Sequence, residues 1–164
     1  MLADFGSRTD CQQGGLLQFG SHWHLLYRLQ FVMNAAARLI FLSEVVRARI
    51  TPLLRELHWL RVPERVIFRL CDLAYRCLHG TAPAYLAESL HSTSDVDTRR
   101  HLRSADSAML VVLSTRRSTL GDRAFPVASA RAWNSLPSSV RNAPSLTFRR
   151  ELKTVLFRSS FDND

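Results

Sequence analysis

The sequence predicts a mainly α fold: a small helical domain with one candidate β-hairpin over about residues 108–128, preceded by a flexible N-terminal tail. Three observations carry this reading. Apolar residues recur at helical spacing in three long segments, and proline and glycine stand where helices would begin and end. Only one short run, Ala108-Met-Leu-Val-Val-Leu113, is apolar and β-branched enough for a strand. With 46% hydrophobic residues the chain has a globular composition. A compact body of this length buries roughly 70% of its unfolded surface.

Residues 1–20, rich in Gly, Gln, Ser and Asp and without periodicity, read as a disordered tail; Asp4 and Asp10 speak against a transit peptide. From Trp23 to about Leu42 the pattern is helical. Leu25, Leu29, Val32, Ala36 and Leu39 share one face, Leu26, Met33 and Ile40 flank it, and Gln30, Asn34 and Arg38 form a narrow polar stripe. A helix apolar over most of its circumference is expected to be central and buried on several sides, or to have packed against a missing neighbour. Thr51-Pro52 reads as an N-cap followed by proline at the first helical position, opening a short helix with Leu53, Leu54, Leu57 and Trp59.

The clearest helix runs from Pro63 to His79-Gly80, with Arg65, Arg69, Asp72, Arg76 and His79 as its polar stripe, Gly80 at its end and Pro83 beyond; another short one follows over 84–90. Together these predict a helical subdomain over 21–90. Residues 91–104 form a polar linker, and 105–160 a basic hairpin-plus-helix subdomain packed on the first. In the second part, residues 123–128 are expected to pair with 108–113, Pro126 confining them to an edge; the competing reading is a helix carrying Phe125, Ala128, Ala132 and Leu136. The last helix, near 145–159, directs Phe148, Leu152, Val155 and Leu156 inward and Arg149, Arg150 and Lys153 outward.

Charge is the first functional signal. The formal net charge is +8, and residues 99–158 hold eleven arginines and Lys153 against Asp106, Asp122 and Glu151. Guanidinium is planar, permanently charged and bidentate toward phosphate, so an arginine-rich half suits a nucleic-acid backbone; the plainer reading is a solvated face. The candidate contacts are Arg116, Arg117, Arg123, Arg131, Arg149, Arg150 and Lys153, touching phosphates without reading bases.

Catalytic signals are missing. There is no phosphate loop, dinucleotide fingerprint, nucleophile elbow, HExxH or CxxC pair. His58 has no Ser, Cys or paired carboxylate at a suggestive spacing and reads as structural. Cys71 and Cys77 lie about 240° apart around a helix at 100° per residue, which does not suit zinc. Asp95 and Asp97 read as solvated loop carboxylates. The expectation is a non-enzyme with no cofactor, no metal and no small-molecule substrate. An odd count of three cysteines favours a reducing, cytoplasmic or nuclear setting, and no run of 18 apolar residues suggests a membrane span.

Ten short blocks occur in order: Leu29-Gln30, Asn34-Ala-Ala-Ala-Arg-Leu39, Ile50-Thr-Pro-Leu-Leu54, Leu57-His-Trp-Leu60, Tyr75-Arg76, Gly80-Thr-Ala-Pro-Ala-Tyr-Leu86, Leu102-Arg-Ser104, Gly121-Asp-Arg-Ala-Phe125, Trp133-Asn-Ser-Leu-Pro137 and the stretch from Phe148 to Phe157. In this order they resemble the carboxyl-terminal region, downstream of the polymerase core, of LINE-type non-LTR retrotransposon reverse transcriptase polyproteins. The resemblance covers about residues 25–158. The family's Tyr/Phe-x-Asp-Asp polymerase motif has no counterpart here, so no catalytic residue carries over. The resemblance implies a non-catalytic segment that grips nucleic acid, RNA more than DNA, beside the polymerase core of a parent polyprotein. The alternative is a structural remnant or interaction scaffold without activity of its own.

Overall fold

Proline punctuation sets much of the helical layout. The computed structural model describes residues 23–41, 49–95, 108–116 and 118–161; the tail over 1–20, most of the 91–104 linker and Arg117 lie outside them. The described residues form eight α-helices: α1 (Trp23–Ile40), α2 (Ile50–Glu56), α3 (Val62–Leu78), α4 (Ala84–Ala87), α5 (Ser118–Gly121), α6 (Phe125–Asn134), α7 (Ser138–Arg141) and α8 (Ser145–Phe161). Pro63 and Pro126 occupy the first turns of α3 and α6, where a missing N–H costs nothing, and Pro83 and Pro137 cap α4 and α7. At α2 the boundary shifts: Arg49 is the cap residue and Thr51 already lies inside the helix. The helix expected over 84–90 is shorter, giving way after Ala87 to turns that continue to Leu90.

Helix α3 is the axis of the fold, packing against α1, α4, α6 and α8. Small residues let α6 come close: Cys71 and Ala74 on α3 and Ser129 and Ala130 on α6 are wholly buried. Around them Trp133, Phe148 and Tyr75 form an aromatic triangle, with Tyr75 stacked on Phe148 at 4.1 Å between ring centroids. Leu60, Ile67, Leu136, Val140, Leu152 and Leu156 complete one core that draws on both halves of the chain. A smaller cluster of Ala37, Leu53, Leu54 and Phe161 joins α1, α2 and the end of α8.

The hairpin expected over 108–128 does not form. Residues 125–134 are helical, as in the competing reading, because Pro126 fits a first helical turn and Val127, Ala128, Ala130, Ala132 and Trp133 are all buried. The strand candidate at 108–113 has no sheet to join among the described residues. Its one bridge is antiparallel, between Leu110 and Ser92, where Thr93 N–H donates to Met109 O at 3.0 Å and Val111 N–H to His91 O at 2.9 Å. The other edge is held by α6. Trp133 Nε1 donates to Ala108 O at 2.7 Å, Leu110 N–H donates to Asn134 Oδ1 at 2.9 Å, and Asn134 Nδ2 donates to Leu110 O at 2.8 Å. The Asn134 amide thus pairs with Leu110 as a peptide group of a neighbouring strand would.

Helix α1 is not central. Its polar stripe turns inward: Gln30 Oε1 accepts from Val62 N–H at 2.8 Å, capping the start of α3, and Gln30 Nε2 donates to Asn34 Oδ1 at 2.7 Å. Ala37 and Met33 pack beside them, while Leu25, Leu29, Val32 and Leu39 are exposed. Periodicity marks the apolar face; the unpaired N–H at the start of α3 decides which face docks.

Two stability outcomes follow. Asn134→Ala strands both backbone groups of the buried residue Leu110 and should cost about 2–4 kcal/mol in chemical denaturation. Glu64 has a buried Oε2 outside hydrogen-bond geometry, and burial raises its pKa against the opposing effects of its own N–H, of Arg61 and of the Ser160 hydroxyl. A carboxylate whose folded pKa exceeds its unfolded one weakens the fold above the folded value, and the penalty fades as pH falls below the unfolded value of about 4. Glu64→Gln should therefore raise the denaturation midpoint at pH 7, with the gain vanishing on acidification through that range.

Candidate nucleic-acid interface

The turn between α2 and α3 begins the site. Helix α2 ends in a 6→1 and 5→2 pair of hydrogen bonds: Trp59 N–H donates to Leu54 O at 2.9 Å and His58 N–H to Arg55 O at 3.0 Å. This closure requires a left-handed residue, and His58 supplies it at φ 51°. Helix α3 ends in the same way, with Thr81 bonded to Arg76 O and Gly80 to Cys77 O, but there a glycine takes the left-handed position at φ 66°. At α2 the strain of a side-chain-bearing residue is retained, and the imidazole lies 5.7 Å from the Phe157 ring on α8.

Beside this turn, α3 and α8 enclose an open cleft of about 410 Å³ lined by His58, Trp59, Leu60, Arg65, Phe68, Arg69, Asp72, Arg149 and Lys153. Two i, i+4 pairs supply the charge, Arg65 and Arg69 from α3 and Arg149 and Lys153 from α8, each pair on one face of its helix. Arg65 is fixed: its Nε donates to Leu60 O at 3.0 Å and its guanidinium lies 5.6 Å from the Trp59 ring centre. Arg69 and Lys153 are exposed.

The single acid lining the cleft, Asp72, is consumed internally. Arg149 Nε and Nη2 donate to its two carboxylate oxygens at 2.7 and 3.0 Å, a bidentate pair that crosses from α8 to α3. Asp72 is nearly buried, its side chain 9% exposed, whereas that of Arg149 is 63% exposed. Asp72 also raises the Arg149 pKa, first through the hydrogen bond and then through its charge, so the guanidinium stays protonated. With Asp72 paired to Arg149, the formal charges of Arg65, Arg69 and Lys153 leave the cleft lining net positive.

The candidate cations fall into two places. Arg149 and Lys153 line the cleft, and Arg150 is exposed on the same helix, α8. Arg116 and Arg123 flank α5, and Arg131, in the last turn of α6, joins that corner through Asp122. Asp122 organises that corner, accepting from Thr115 Oγ1 at 2.8 Å and from Arg131 Nη2 at 3.0 Å. Those bonds, the Arg131 one foremost, pull its pKa below the ordinary carboxylate value. Gly121 is required there, because a Cβ would come within 2.5 Å of Thr115 Cβ. Arg131 is thus partly committed to holding the corner, and Arg117 lies outside the described residues.

Sequence reading missed Arg65, Arg69, Trp59 and Phe68 as site residues. Of these only Arg65 and Arg69 left a signal, as members of the polar stripe along α3. The remaining titratable groups offer little chemistry. Among the described residues no three His, Cys, Asp or Glu side chains gather as a metal site. Burial pushes the Cys71 thiol up to about 12, leaving it inert at neutral pH. No helix among the described residues is long and apolar enough to cross a membrane.

Two substitutions check this geometry. Arg149→Gln leaves the nearly buried Asp72 carboxylate without its cation, whereas Asp72→Asn releases an arginine that water can solvate, so the first should lower the denaturation midpoint more than the second. His58→Gly should raise stability by about 0.5–1 kcal/mol, the relief of left-handed strain exceeding the lost ring contact. Comparison of this chain with family models, curated proteins and solved structures finds no match.

Proposed function

We propose that this chain is a non-catalytic, retroelement-derived segment that binds nucleic-acid backbone without reading sequence, single-stranded RNA in preference to DNA, beside a polymerase core of the same LINE-type polyprotein. The observation that carries the reading is the cleft between α3 and α8, where Arg65, Arg69, Arg149 and Lys153 surround a single, internally paired carboxylate. Fixed and exposed guanidinium groups of this kind neutralise phosphates and release counterions. Phe68 and Trp59 on the cleft wall place aromatic surface next to the cations, the combination that holds unstacked bases of a single strand. The order of sequence blocks resembling the region downstream of a LINE polymerase supports the provenance.

The test is fluorescence anisotropy of a labelled single-stranded RNA of about 20 nucleotides, titrated at several salt concentrations. Binding should weaken on a log-log slope of about −2 to −3, corresponding to three or four phosphates at roughly −0.7 each. Replacing Arg69 and Lys153 together with Gln should flatten the slope by about 1.4. A uridine tract and a mixed sequence should bind within about threefold of one another. Absence of binding at low salt, or a slope unmoved by the double substitution, would overturn the proposal.

A further inference from the structure

Helix α1 presents a second surface, remote in character from the basic cleft. Leu25, Leu29, Val32, Ala36 and Leu39 follow a 4-3-4-3 spacing, the interval at which one helix seats side chains between those of another. Leu29, Val32 and Leu39 are 57%, 65% and 75% exposed. At 100° per residue this row is centred about 115° around the helix from the strip that docks on α2 and α3, so it faces away from the body. Its outward direction is fixed by the Gln30 bond to Val62 N–H and by buried Ala37. The 18 residues of α1 span about 27 Å, enough for two and a half heptads.

We infer that this row is the docking site for an amphipathic helix of a partner, with an apolar seam of the same spacing flanked by carboxylates. Charge selects the occupant. Helix α1 carries Arg28 beside the row and Arg38 further round, and no acidic residue. A second copy of the chain would add another +8 and bring only arginines to this helix. A helix with Glu at the positions flanking its seam supplies the missing charge, which fixes orientation and suppresses basic competitors. The inference stands apart from the cleft, because no residue of the row lines it.

The test titrates the full chain with two synthetic helical peptides of identical leucine seam, one flanked by Glu and one by Lys, followed by calorimetry. The Glu peptide should bind with a micromolar Kd and the Lys peptide at least about tenfold more weakly. Leu29→Asp with Val32→Asp, both at exposed positions, should abolish binding with the circular dichroism unchanged, while Arg69→Gln should leave binding intact. Equal affinity for both peptides, binding to neither, or binding that survives the double substitution would overturn the inference. So would sedimentation showing that the chain dimerises through this row, or loss of vesicle binding on the same double substitution.

Discussion

The paired grip of Trp133 and Asn134 on residues 108–110 is the interaction on which the basic half of the fold depends. An extended segment in a helical protein has backbone groups that no helix satisfies, and without a sheet each one inside the core must find another partner. Two adjacent residues of α6 provide it, the indole N–H taking one carbonyl and the asparagine amide taking both groups of Leu110. The same indole closes the aromatic triangle with Tyr75 and Phe148, so one side chain joins the extended segment, α3, α6 and α8. The block Trp133-Asn-Ser-Leu-Pro137 acquires a physical meaning here. The tryptophan fills the core, the asparagine stands in for a strand, and Pro137 stops α6 and begins α7.

With α8 seated against α3 by this core, the cleft follows from helix geometry. Residues at i and i+4 share a face, so Arg65 and Arg69 form one wall and Arg149 and Lys153 the other. Four cations in one concave site would repel one another. Asp72 reduces that repulsion and locks α8 to α3 through a bidentate bond. His58 sits strained at the rim, in the left-handed position that Gly80 takes at the end of α3. A side-chain-bearing residue held at a left-handed φ carries backbone strain, and here it sets the imidazole against Phe157.

How much of this was legible from sequence depends on whether the determining contact is local. Helix starts at Pro63 and Pro126, the Gly80 stop and the inward set Phe148, Leu152, Val155 and Leu156 are read from residues within a turn or two of one another. The orientation of α1 is not, because its polar stripe is drawn inward by an N–H belonging to α3. The apolar, β-branched run at 108–113 suggested a strand, but its partners turned out to be residues 91–93 on one edge and the Asn134 side chain on the other, not residues 123–128. The cleft was half legible: Arg149 and Lys153 stood out as a basic face, whereas Arg65 and Arg69 looked like an ordinary solvated stripe. Only the fold brings those pairs together from some 80 residues apart.

The central claim is that the α3–α8 cleft, and not basic charge in general, receives the nucleic-acid backbone. The most direct measurement is backbone amide shift mapping by NMR of the full chain with a short single-stranded RNA at low salt. The account requires the largest changes at His58 and Trp59, along residues 65–69 and along 149–153, with the Arg116, Arg123 and Arg131 corner changing less. Changes confined to that corner or spread evenly over all arginines would contradict it, as would an unperturbed spectrum.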